Sequence, residues 1–82
     1  MDSTTVNTMI DSVESSVIGA EFALKLNSSE KELERNKVRL ENSLDKLSLL
    51  TRFDNVKTTW LETYKSRVWN KLFKIDKVLG VA

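Results

Sequence analysis

The chain contains no cysteine, no histidine and no proline, and its only two glycines are Gly19 and Gly80. The lack of cysteine excludes thiol chemistry, a disulfide scaffold and the common zinc modules. The lack of histidine removes the commonest general base and metal ligand. Without proline and with little glycine, long uninterrupted helices are favoured over a turn-rich β fold. With 82 residues, the stability of a single small domain must come from apolar packing, within the chain or shared with a partner chain.

Long hydrophobic runs are also missing. No apolar stretch approaches the roughly 18 residues that a membrane-spanning helix needs. The N-terminal residues are polar and acidic, and they lack the basic start and apolar stretch of a signal peptide. We therefore expect residues 1–82 to form one helical domain of a cytoplasmic protein.

The net charge of +1 conceals a gradient along the chain. Residues 1–26 carry four acidic residues against one basic residue, whereas residues 54–82 carry six basic residues against three acidic ones. The segment between them is nearly balanced, with six basic and five acidic residues. The acidic and basic ends are expected to attract each other, within one fold or between copies of the chain. A pI of 8.0 lies below the value of about 9 that is typical of a dedicated nucleic-acid-binding domain.

Apolar residues recur every three or four positions in three segments, which is the spacing of one buried helix face. The segments cover residues 4–26, 29–50 and 54–79. Their similar lengths and short polar breaks predict an all-α fold, an antiparallel up-down-up three-helix bundle. The alternative is a helical hairpin with one long arm, which must dimerise to bury its apolar faces. The predicted core positions are Val6, Ile10, Val13, Val17, Ala20 and Leu24, then Leu33, Leu40, Leu44 and Leu47, and then Phe53, Val56, Trp60, Tyr64, Val68, Leu72, Ile75 and Leu79.

Polar residues mark the predicted ends of the first helix and the start of the second. The residues Ser3 to Thr5 are candidate N-caps of the first helix, and Asn27 is a plausible stop. Ser29 followed three residues later by Glu32 matches a capping box, which predicts that the second helix begins there.

The break before the third helix carries a weaker signal, because neither glycine nor proline enforces it. Thr51 with Asp54 matches a second capping box, or Asp54 alone caps the third helix. A single helix continuous from residue 29 to residue 79 is the alternative. Gly80 is placed where a glycine commonly ends a helix.

Lys37 interrupts the leucine seam of the second helix. Its long side chain can cover apolar surface while the ammonium reaches water. In a coiled coil, a polar residue at such a position can instead fix the register or the oligomeric state. The sequence does not distinguish these two interpretations.

Two helices carry a second apolar row outside the predicted core face. These extra rows are more than a lone bundle of this length requires. One interpretation is that they meet each other, since the first and third helices of an up-down-up bundle are adjacent. The other is that they form an exposed surface for a partner helix or a second copy. The rows consist of Ile18, Phe22 and Leu26 in the first helix, and of Trp69 and Phe73 in the third.

The surplus apolar rows favour a non-enzymatic helical interaction module, acting as a homo-oligomer or as a subunit or adaptor of a larger complex. The alternative function is binding of nucleic acid or an anionic membrane surface by the basic, amphipathic third helix. That function would use Lys65, Lys71, Lys74 and Lys77.

Catalysis has little support in the sequence. No phosphate-binding glycine loop, nucleophile elbow or cluster with metal-ligand spacing is present. Glu30, Glu32 and Glu34 alternate and are therefore spread around their helix, which is typical of a solvated surface rather than a cation site. We expect no enzymatic activity, no cofactor, no metal and no small-molecule substrate.

Overall fold

The computed structural model describes residues 3–80, which form three α-helices. They are α1 (Ser3–Lys25), α2 (Glu30–Leu50) and α3 (Thr58–Leu79). Each helix packs against the other two, and no strand occurs in the described residues. The predicted all-α three-helix bundle is therefore confirmed. The alternative of one helix continuous from residue 29 to residue 79 is wrong, because residues 51–57 are not helical.

The directions of the helices follow from the contacts between them. Lys46, near the end of α2, donates to Ser12 in the first half of α1 at 2.7 Å. Asn36, near the start of α2, lies beside Gly19 in the second half of α1. These two contacts make α1 and α2 antiparallel. The ion pairs and the apolar packing between α3 and the other two helices show in the same way that α3 is antiparallel to α2 and parallel to α1. The helices are therefore arranged in the up-down-up order.

The core runs along the bundle axis and ends in a smaller cluster beneath the α2–α3 connection. Most of the predicted apolar positions are buried. The other seven, including Ile10, Leu44 and Trp60, are half-buried and pack against the core edge. The buried apolar residues are Val6, Val13, Val17, Ala20, Ala23, Leu33, Leu40, Leu47, Leu50, Val56, Val68, Leu72 and Ile75.

Three polar residues are also buried, where α1 and α2 approach each other. Ser16, Asn36 and Ser43 each donate to a backbone carbonyl four residues earlier in their own helix, at 2.9, 2.9 and 3.0 Å. Because these hydrogen bonds are local, the polar atoms are satisfied without a partner on the other helix. Small polar side chains can therefore occupy the α1–α2 contact.

The α1–α2 connection is built as the sequence predicts. Asn27 adopts a left-handed conformation with φ of 53°, and the Ser28 amide donates to the Ala23 carbonyl at 3.0 Å, an arrangement that closes a helix end. The Ser29 hydroxyl accepts from the Glu32 amide at 3.3 Å and caps α2. Ser3 to Thr5 lie in the first turn of α1 rather than before it. The residue that precedes α1 lies outside the described residues.

Two predictions about the α2–α3 connection are wrong. The Thr51 hydroxyl donates to the Ser48 carbonyl at 2.6 Å, so it acts at the end of α2 instead of capping α3. Asp54 does not cap α3 either, because α3 begins at Thr58 and its N-cap position is Lys57, which makes no side-chain cap hydrogen bond. At the other end, Gly80 has φ of 77° and closes α3 as predicted.

Candidate partner-binding surfaces

The apolar row of α1 lies on the outside of the bundle. Ile18, Phe22 and Leu26 are 52, 60 and 71% exposed. The row advances by about 40° every four residues, because an α-helix turns by about 100° per residue. Leu26 is the first residue after α1, but its amide still donates to the Phe22 carbonyl at 2.9 Å and so continues the last helical turn. It therefore projects close to the direction of Gly19, where α1 meets α2. The row begins on the back of α1 and ends beside α2.

The aromatic row of α3 is exposed as well, with Trp69 at 55% and Phe73 at 62%. Trp69 lines a groove of about 480 Å³ between α2 and α3. Its apolar wall is formed by Leu44, Leu47 and Leu61. Phe73 follows Trp69 by one helical turn and continues the row beyond the end of the groove.

The two rows do not meet, so the interpretation that they pack against each other is wrong. Lys71 reaches Glu21 of α1 at 3.4 Å and marks the α1 side of α3. Trp69 and Phe73 are each two residues from Lys71, and they project about 160° away from it. The aromatic row therefore faces the α2 side of α3, whereas the α1 row runs from the back of α1 toward its α2 side.

Lys37 is held by an ion pair between α2 and α3. Its Nζ lies 2.8 Å from Oδ1 of Asp76, an oxygen atom with almost no access to solvent. The hydrogen bond to Asp76 raises the pKa of Lys37 above its usual 10.5, and the negative charges of Asp76, Glu41 and Glu34 add to the effect. Lys37 thus partners a carboxylate of the neighbouring helix rather than only covering apolar surface.

The charged residues of α2 differ in sign between the side that faces α3 and the side that faces α1. Glu34 and Glu41 lie three residues before and four residues after Lys37, so they share its α3 side, and their charges act on it. On the opposite side, Lys46 contacts Ser12 of α1. Arg39 Nη1 lies 3.5 Å from the position that a Cβ would take at Gly19.

The four lysines predicted for nucleic acid or lipid contact do not form one stripe. Lys65 lines the α2–α3 groove, while Lys71 pairs with Glu21 and its side chain is only 15% exposed. Lys74 and Lys77 are exposed. At about 100° per residue, Lys65 and Lys71 project about 120° apart, and Lys74 points to a third side of α3.

Three further exposed apolar residues were not singled out by the sequence: Val38, Leu49 and Val78. Each lies outside the dominant periodic face of its helix, the same signal that identified the other rows. Within residues 3–80, no group of three acidic side chains is arranged to hold a metal ion, and no helix has an apolar stretch long enough to cross a membrane.

The chain matches no protein-family model, and comparisons with curated proteins and with solved structures also find no significant match. The surfaces described above are therefore interpreted from their own geometry and chemistry.

Proposed function

We propose that this protein is a non-enzymatic helical interaction module that binds another protein chain through apolar side chains on its helix surfaces. The observation that carries the proposal is the exposure of Phe22 and Trp69, at 60 and 55%, on a bundle that already has a closed core. Rows of large apolar side chains on a protein surface mark interaction sites. Aromatic side chains contribute disproportionately to binding energy at such sites.

The roles of homo-oligomer, complex subunit and adaptor all use this same chemistry. Helix-on-helix packing of the coiled-coil type is the contact that we propose, because the exposed residues recur at helical spacing. A cytoplasmic location is proposed from the sequence alone.

Sedimentation velocity of the wild type, Phe22→Ser and Trp69→Ser tests the proposal. Both variants are expected to keep the helical circular dichroism and the unfolding midpoint of the wild type, because the replaced side chains are mostly exposed. Both are expected to lose association with the partner chain. Val78→Ser is the matched control, because Val78 is 64% exposed on α3, belongs to neither row and projects about 180° away from Trp69.

A photo-crosslinking amino acid at position 22 or 69 extends the test to a different partner protein. A crosslinked protein supports the proposal only if, after purification, it binds the wild type and Val78→Ser equally and the row variants at least about tenfold more weakly. A monomeric wild type with no crosslinked protein at either position contradicts the proposal. Strong unfolding of both row variants would mean that these residues belong to the core.

A further inference from the structure

Two faces of the bundle carry apolar residues together with charges of opposite sign. The α2–α3 face is the surface over the groove between these helices. Its exposed apolar residues are Trp69, which lines the groove, and Phe73, which lies one turn beyond it. The Lys37–Asp76 pair lies toward the end of the face where α2 begins. Lys65 lines the groove, and the exposed Lys77 lies at the edge of the face. The exposed carboxylates of this face are Glu34, Glu41, Asp45 and Glu62.

The acidic side chains lie on this face because of their spacing from Lys37 and from the groove-lining residues of α2 and α3. Glu34 and Glu41 flank Lys37, and Asp45 lies one turn before Ser48, which lines the groove. Glu62 lines the groove from α3. The Lys37–Asp76 pair is neutral as a whole, and the four carboxylates outnumber Lys65 and Lys77, so the face is acidic around its aromatic row.

The α1–α2 face has the opposite character. Arg39 and Lys46 of α2 both reach α1. Arg35 precedes Arg39 by one turn on the same side, and only Glu32 pairs with it, at 3.0 Å. The α1 half of this face contributes Phe22 and Leu26, with Ser12, Ser15 and Gly19 beside α2. One exposed carboxylate, Asp11, projects about 20° from Phe22. The three basic side chains of the face therefore outnumber its two carboxylates, Asp11 and Glu32. The face is basic around an apolar row.

We propose that a second copy of this chain occupies the α2–α3 face and packs its own α1–α2 face against it, so that copies associate head to tail. This inference rests on the proposed function and names the partner. Each face is complementary to the other in charge, and neither is complementary to itself. The interface is therefore heterologous, and repetition of such a contact builds a ring or an open filament.

The dimensions of the molecule are sufficient for this contact. The bundle measures 38 × 20 × 17 Å along its principal axes. One face along the long axis therefore offers on the order of 700 Å² per copy, close to the roughly 800 Å² per partner of a standard specific interface. The apolar rows lie within that area, and the charges surround them, as in the polar rim of an interface.

Mixing two variants tests the head-to-tail arrangement. Phe22→Ser damages the α1–α2 face only, and Trp69→Ser damages the α2–α3 face only. Each variant alone is expected to sediment as a monomer at concentrations where the wild type forms assemblies larger than a dimer. An equimolar mixture retains one intact interface, and it is expected to form a 1:1 dimer and nothing larger. Association of the wild type is expected to weaken with added salt, because opposite charges meet at the rim.

Several results would overturn head-to-tail association. The first is a wild type that remains monomeric at about 100 μM, a concentration well above the dissociation constants of specific interfaces. The second is a wild type that forms dimers and nothing larger. The third is an equimolar mixture of the two variants that stays monomeric. Equal association of Phe22→Ser and the wild type would also overturn it. In each case, a purified crosslinked partner that depends on residue 22 or 69 would leave the proposed function standing. The loss of that partner as well would remove both proposals.

Discussion

Leu40 on α2 is the position where the core can be tested most directly, and Leu49 on the same helix provides the matched control. Leu40 is fully buried, whereas Leu49 is 47% exposed. Replacing Leu40 with alanine removes three buried carbon atoms, which costs about 2.4 kcal/mol at about 0.8 kcal/mol per carbon. The cavity left behind adds to this loss, so we expect about 3 to 4 kcal/mol in total. Leu49→Ala is expected to cost less than about 1 kcal/mol, because much of its side chain is already in water.

Urea unfolding followed by circular dichroism measures both losses at a concentration where the protein does not associate. For a domain of this size the whole free energy of unfolding is about 4 to 12 kcal/mol. Leu40→Ala therefore removes a large part of it and lowers the melting temperature by about 12 to 25 °C. The packing described above is refuted if Leu40→Ala costs less than about 1 kcal/mol. Equal losses in the two variants would refute it too.

Two further predictions concern the helix cap and the interhelical ion pair. Ser29→Ala removes the acceptor of the Glu32 amide and is expected to lower the free energy of unfolding by about 1 kcal/mol. Ser28→Ala is expected to leave it unchanged, since Ser28 uses only its backbone at this turn, and equal urea midpoints for the two variants would refute the cap. The Lys37 contribution to stability is expected to be complete at neutral pH and to be lost as pH rises above 10.5 through the raised pKa of the folded state. Unfolding free energies measured across that range should fall more steeply for the wild type than for Lys37→Met, and parallel curves would contradict the role of Asp76.

The second helix shows how far periodicity alone predicts a core. The leucines at positions 33, 40 and 47 were predicted correctly, because an apolar stripe at helical spacing must face other elements. Three further residues of α2 are buried, so that the buried positions follow one another at alternating steps of three and four residues. They are Asn36, Ser43 and Leu50. Asn36 and Ser43 were not predicted to be buried because they are polar. Each satisfies its polar group on its own backbone, so burial costs little. The helical spacing therefore indicated burial even at positions where the residue type did not.

The α2–α3 connection shows the opposite error. Phe53 and Val56 continue the periodic row of α3, so the sequence predicted a helix from residue 54. Val56 is buried and Phe53 half-buried, yet both lie in the non-helical connection and cover one end of the bundle. Periodicity therefore predicted their burial but not their conformation. Without glycine or proline in this segment, nothing local in the sequence distinguishes a helix from a loop that packs on the core.

The exposed rows were predictable because they fall outside the core stripe, but the charge of the surfaces around them was not. Counted along the chain, α2 is nearly neutral. Counted by side, it is acidic toward α3 and basic toward α1, and these sides are defined only by the contacts of Lys37 and Lys46 with the neighbouring helices. The acidic first third and basic last third account for a different contact, the Glu21–Lys71 pair inside the fold. Because that pair lies between α1 and α3, it does not involve the charged residues on the two sides of α2. The attraction that we propose between copies therefore uses the two sides of α2 rather than the two ends of the chain.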